Sequence, residues 1–147
     1  MMRLGGREKR DRAIVIGGSI AGLLAARVLA DRYRDVLLLE RDPLDEAADR
    51  RGIPQGRHSH VLLASGSRVL ESLFPGITEE LVGSGATSGD VGQNVRWFFE
   101  GALFCRFESG IEGFVMSRSF LERIVRERVR RIANVRIRDA TNVDSLS

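Results

Sequence analysis

The chain is short of several residue types, and each scarcity narrows what it can be. Cys105 is the single cysteine in 147 residues, which excludes an intramolecular disulfide and fits a reducing, cytoplasmic setting. Within the apolar run from Leu103 to Phe107 it is expected to be a packed side chain. Lys9 is the only lysine, so the formal net charge of +3 rests on arginine almost alone. Those arginines lack the aromatic interleaving of a nucleic-acid surface, and no nucleic-acid partner is expected. No apolar run approaches membrane-spanning length, and residues 1–11 are polar and charged without the apolar core of a secretory signal. They read as a flexible basic arm. His58 and His60 have no cysteine or second histidine pair beside them, so no metal site is expected and the two are assigned to capping the helix that follows. No internal repeat is present.

What the chain does have is an ordinary globular balance, 43% hydrophobic and 29% charged. It also has one informative stretch, from Arg12 to Arg41. Ala13 to Ile16 is a short β-branched run with the make-up of a buried parallel strand. Gly17 and Gly18 end it. From Ile20 to Leu29 nearly every side chain is apolar or small, which predicts a helix buried on most of its circumference. Val36 to Leu39 is a second apolar strand, and it delivers Glu40.

This is the layout of a dinucleotide-binding unit, a βαβ over residues 12–40. Gly17 suits a turn that needs unusual φ, Gly18 clears space beside it, and Gly22 lets the helix approach the strand closely. The N–H groups of the first helical turn, at Ser19, Ile20, Ala21 and Gly22, carry the positive end of the helix dipole and suit a pyrophosphate. Glu40 stands where an acidic residue accepts hydrogen bonds from a ribose diol. Ser19 occupies the position of the second glycine in G-x-G-x-x-G, where its hydroxyl either donates to a phosphate or caps the helix.

The segments VIGGSIAGLLAARVLADR, LLLERD, IPQGRHSHVLL and MSRSFLERIV, in that order, resemble the start of the FAD-dependent monooxygenase superfamily, the aromatic-hydroxylase type of FAD-binding oxidoreductase. The resemblance implies an α/β, Rossmann-like FAD/NAD(P)-binding fold. Residues 12–147 would be the N-terminal part of its FAD-binding domain, truncated, with a piece of the substrate-domain sheet inserted at about residues 90–116. FAD is the implied cofactor, with NAD(P)H as co-substrate, O2 as oxidant and a small organic molecule as substrate. Arg57 and Arg118 are carried over as cofactor contacts, and Arg41, beside Glu40, joins them. No residue is assigned as catalytic. A separately encoded C-terminal half is one way to supply what the family carries beyond this length. The alternative is a non-catalytic module binding NAD(H) or FAD, or an inactive gene fragment.

The rest of the chain carries simpler expectations. Val61 to Phe74 is expected to be helical, Thr78 to Val82 a short helix, and Gly83 to Gly92 a loop. Val95 to Phe99 and Ala102 to Phe107 flank Glu100-Gly101, a two-residue hairpin signal, so an antiparallel hairpin is predicted over about residues 95–107. Its aromatic rings are expected mostly in the core. Gly113 to Met116 reads as a strand. Ser117 then caps a helix to about Ile132, with Glu122–Arg126 and Glu127–Arg131 pairs on the side away from its apolar stripe. Arg118 at the head of that helix is unfavourable for the dipole unless it meets an anion. A third parallel strand is predicted at about residues 135–139, and Asn142 to Leu146 as the start of another.

Overall fold

A computed structural model of the chain describes residues 9–44 and 59–145. In chain order the elements are β1 (Arg10–Ile16), α1 (Ile20–Ala30), β2 (Tyr33–Leu39), β3 (Ser59–Leu62), α2 (Ala64–Leu73) and α3 (Ile77–Gly83). There follow β4 (Thr87–Asp90), β5 (Phe98–Phe99), β6 (Ala102–Leu103), β7 (Glu112–Ser117), α4 (Arg118–Arg130) and β8 (Val135–Arg138). These fall into two compact units, residues 9–44 with 122–145 and residues 59–121.

The first unit is built on a parallel sheet of order β1-β2-β8. The pairing sets Val15 beside Leu38 and Val36 beside Val135, and all four are buried. Helix α1 lies against β1 and β2 and buries Leu23, Ala26 and Ala30. Full burial of Leu23, Val36 and Leu38 contributes about 1.5–3 kcal/mol each over exposure. Asn134 closes the unit, its Nδ2 donating to the carbonyls of Ala30 (2.9 Å) and Tyr33 (2.8 Å).

Two burial expectations are corrected. Side chains alternate along a strand, and here Ile14 and Ile16 on the face opposite Val15 are 59% and 55% exposed. Strand β1 is an edge of the described sheet with one face covered. Helix α1 buries only the stripe that meets the sheet, leaving Val28 exposed; its composition is apolar all round, but a single sheet face covers a single stripe. On the outer face Asp35 accepts from Arg12 Nε at 2.5 Å and from Arg136 Nε and Nη2 at 3.0 and 2.8 Å, linking all three strands. The bonds from Arg136, then those from Arg12, hold the Asp35 carboxyl below its ordinary range.

The second unit centres on an antiparallel sheet of order β3-β7-β4. Residues 59–62, with Val61 and Leu62 expected to open a helix, and residues 87–90, expected to be loop, are its outer strands, because each finds a non-local partner in β7. His60 therefore sits on a strand and is exposed, while α2 begins after Leu63 with no side-chain cap; His58 lies outside the described residues. Glu71 reaches from α2 to the start of α3, accepting from Gly76 N, Thr78 N (3.1 Å) and Thr78 Oγ1 (2.9 Å).

The hairpin forms with Phe98 opposite Leu103 and Phe99 opposite Ala102. Its turn places Glu100 at φ 48° and Gly101 at φ 82°, as a two-residue turn matched to strand twist requires. The core expectation for its rings is overturned: Trp97, Phe98, Phe99, Phe104 and Phe107 are all more than half exposed. Cys105 is exposed with them, not packed. Two-residue strands cannot bury both faces of so many rings. Residues 142–145 are not in a strand.

Asp90 ties this unit's loops together. Its carboxylate accepts from the N–H groups of Gly92 (2.8 Å), Gln93 (2.9 Å), Ser109 (3.0 Å) and Gly110 (2.7 Å) and from Ser109 Oγ (2.8 Å). Partial desolvation works to raise its pKa, but bonds from the Ser109 hydroxyl and the backbone of Gln93, Ser109 and Gly92 outweigh it and hold the carboxyl well below the usual value of 3.8. A depressed folded-state pKa means stability that is fully present above that ordinary value and is lost as pH falls below it. Thermal melts from about pH 5 down to about pH 2.5 are expected to show the unit weakening with acid, and Asp90→Asn to flatten that dependence. An unchanged slope in the variant would assign acid sensitivity to other carboxyls.

Candidate functional site

The site candidates gather where β1 and β2 end and α1 begins. Gly17 N donates to Leu39 O at 2.8 Å, so the turn leaves β1 still paired with β2. Gly17 has φ 101°, a conformation that side-chain-bearing residues avoid. Ser19 follows with extended backbone as N-cap of α1. Its hydroxyl makes no capping bond, so of the two roles open to it the cap is not used. Its carbonyl accepts the first helical bond, from Leu23 N at 2.9 Å. Ile20 and Ala21 open the helix. The N–H groups of a first helical turn have no partners within their own helix and gather where the dipole is positive, which suits an anion.

Glycine is required at two further positions for want of room. A Cβ at Gly22 would lie 1.8 Å from the Gly17 carbonyl oxygen, so the helix can sit this close to the turn only without one. A Cβ at Gly18 would lie 3.0 Å from Glu40 Cβ and 3.1 Å from Glu40 Oε2. The vacancy at Gly18 admits Glu40.

Glu40 follows β2 directly and is 6% exposed. Its Oε2 accepts from Gly18 N at 2.6 Å and its Oε1 from Asp42 N at 3.0 Å. An ionised carboxylate has about four acceptor positions, so these two bonds orient it and are compatible with hydroxyl donors as further partners. A glycine turn open to an anion, beside an oriented carboxylate, suits a ligand with a phosphate and a diol.

The other candidates are placed differently. Arg41 is exposed, with Nε 3.9 Å from Asp42 Oδ1. Arg57 lies outside the described residues. Arg118, half-buried, opens α4 in the second unit behind the expected cap, Phe120 N donating to Ser117 Oγ at 3.1 Å. Among the described residues no cluster of His, Cys, Asp or Glu suits a metal, and no helix is long and apolar enough to cross a membrane.

The charged side chains of α4 depart from expectation. Glu122 and Arg126 do pair, at 3.6 Å, but both are buried, not outward. Arg126 turns inward to Leu44, whose carbonyl accepts from its Nη1 at 2.8 Å. Glu127 pairs with Arg130 at 2.7 Å. Asp139 was also missed: its Oδ2 accepts from Leu44 N at 2.8 Å. One signal pointed to it, since Asp139 follows β8 as Glu40 follows β2, and ligands of parallel sheets gather at strand carboxyl ends.

No protein-family model matches the chain. It is 41% identical over 135 residues to Protein Rv3254 of Mycobacterium tuberculosis (strain ATCC 25618 / H37Rv), a match covering 87% of this chain and 28% of that protein. Its fold is similar to 2-methyl-3-hydroxypyridine-5-carboxylic acid oxygenase, with TM-score 0.60 and 26% identity over 90% of this chain and 32% of that one. It is similar in fold to PqsL, a probable FAD-dependent monooxygenase from Pseudomonas aeruginosa, with TM-score 0.67 and 21% identity over 95% and 35%. The Diels-Alderase PyrE3 matches with TM-score 0.61 and 23% identity over 92% and 26%. The chain thus spans about a third or less of the proteins it matches. Over nearly all its length it resembles the N-terminal part of FAD-dependent monooxygenases.

Proposed function

We propose that the chain is the part of a Rossmann-like FAD site that holds the ADP half of the cofactor, in a flavin-dependent monooxygenase or oxidoreductase. The observation that carries this reading is the glycine turn closed on Glu40, with Gly18 N 2.6 Å from its carboxylate and no room for a Cβ at Gly22. Gly17, Gly18, Ser19, Ile20, Ala21 and Gly22 line the pyrophosphate, and Glu40 accepts from the adenosine ribose. Arg41, Arg57 and Arg118 are proposed as further cofactor contacts. When bound, the flavin supplies the redox chemistry, with NAD(P)H and O2 as co-substrates acting on a small organic molecule. The chain's own part is binding and orientation; no proton donor, base or nucleophile is assigned to it.

The working protein is proposed to be cytoplasmic and to cover Ile14, Ile16 and the hairpin aromatics with polypeptide equivalent to the remainder of its relatives, in one chain or separately encoded. Residues of about 90–116 then belong to the substrate side. A second reading, a module binding NAD(H) or FAD without catalysis, draws on the same glycine turn and Glu40, which suit the ADP half of either nucleotide.

Titration of the 147-residue chain with FAD, followed by flavin fluorescence, is expected to show saturable binding that excess NAD does not displace and that Gly18→Val abolishes. A folded chain that leaves flavin fluorescence unchanged sinks the FAD reading. Equal competition by NAD favours the binding module.

A further inference from the structure

The turn carrying Glu40 is held from outside itself. Glu40 N donates to Arg138 O at 2.9 Å and Thr141 N to Glu40 O at 2.8 Å, which continues the β2–β8 pairing past both strands. Ala140 N donates to Asp42 O at 3.4 Å. At the far end Leu44, 2% exposed, has its N–H taken by Asp139 and its carbonyl by Arg126. Ala140 sits at φ 47°, a left-handed conformation that costs an alanine about 1–2 kcal/mol. It turns the chain so that the Asp139 side chain and the Thr141 N–H both meet residues 40–44.

Glu40 depends on this anchoring. Of its two oriented oxygens, one is set by Gly18 N in the glycine turn and the other by Asp42 N within the held turn. Asp42 stands between two fixed points, the paired backbone of Glu40 and the clamped backbone of Leu44. If Leu44 is released, Asp42 N–H moves, Oε1 loses the bond that this N–H supplies, and the carboxylate is aimed less tightly. Hydrogen bonds weaken steeply as their angles close, so an acceptor aimed less tightly discriminates less well.

We infer that Asp139 and Arg126 are positioning residues for nucleotide specificity: by holding both backbone groups of Leu44 they keep the Glu40 carboxylate aimed at a ribose 2′-hydroxyl. The inference rests on the nucleotide reading above and adds to it two residues outside the glycine turn. Consistent with the geometry, the bond from Leu44 N, acting against desolvation, keeps the Asp139 carboxyl below its ordinary pKa and so ionised as an acceptor.

The test compares ADP with 2′-deoxy-ADP by calorimetric titration of the full chain. The wild type is expected to prefer ADP by roughly tenfold, the effect of one hydrogen bond to a charged acceptor. Asp139→Ala is expected to reduce that preference to about twofold or less, and Asp139→Asn, whose Oδ1 accepts the same N–H, to restore it. The paired change Glu122→Gln with Arg126→Gln, which removes both charges of their ion pair together, is expected to reduce the preference likewise. A merely destabilised chain would lose affinity for both nucleotides with the ratio intact. Full preference in folded Asp139→Ala and in the paired variant, or no recovery in Asp139→Asn, overturns the positioning role alone. A folded wild type that binds neither nucleotide, or both equally, overturns the ribose reading and this inference with it.

Discussion

Gly22→Ala is expected to disrupt the first unit more than any other single methyl added to the glycine turn. The new Cβ would lie 1.8 Å from the Gly17 carbonyl oxygen and 3.0 Å from its carbon, and both are backbone atoms that no rotamer change can move aside. Overpacking against side chains costs about 1–3 kcal/mol; against the carbonyl of a turn residue whose own N–H is paired to Leu39 O, about 3 kcal/mol or more is expected. The melting midpoint should fall by about 10 °C, and FAD binding should be lost because the turn opens. Gly17→Ala is the control. Its Cβ would meet nothing within 4 Å, so it carries only the left-handed penalty of about 1–2 kcal/mol. Equal melting of the two variants would mean that α1 slides away from the turn at little cost.

Glu40→Ala is expected to act on binding as well as on stability. Removing the carboxylate leaves the buried Gly18 N–H without its acceptor, a loss of about 1–3 kcal/mol. It also removes the acceptor proposed for the ribose, and FAD affinity is expected to fall roughly 10- to 100-fold. Flavin fluorescence measured on a sample shown to be folded by circular dichroism separates the two effects. Affinity within about twofold of wild type would place the ribose elsewhere.

The sequence exposed those parts of the structure whose causes are local. The glycine turn, the strand that delivers Glu40, the Glu100-Gly101 hairpin and the Ser117 cap each follow from residues within a few positions of one another. Strands β3 and β4 do not. Ser59–Leu62 is continuous with an apolar helical pattern, and Thr87–Asp90 has no apolar alternation; each is a strand only because β7 pairs with it from a distance. Burial failed for a related reason. The composition of α1 and of the hairpin states what could be buried, but what is buried depends on which surfaces the fold brings up against them. Within the candidate site, Glu40 was marked by its position after β2, whereas the bond from Arg126 to Leu44 O and that from Leu44 N to Asp139 span 82 and 95 positions and leave no trace in spacing.

The cross-strand ion group at Asp35 contributes little to equilibrium stability, being exposed to solvent and to salt. Its value lies in assembly. Strand β8 has to find β2 across 101 positions of chain, and three short parallel strands offer backbone ladders that would also form one residue out of step. Such a slip would turn Arg136 inward to the place of buried Val135 and carry Val135 out to face Asp35. With Arg12 and Arg136 converging on a single carboxylate from either side, only one alignment of all three strands satisfies the charges. The sheet carries its own proofreading mark, read while it assembles.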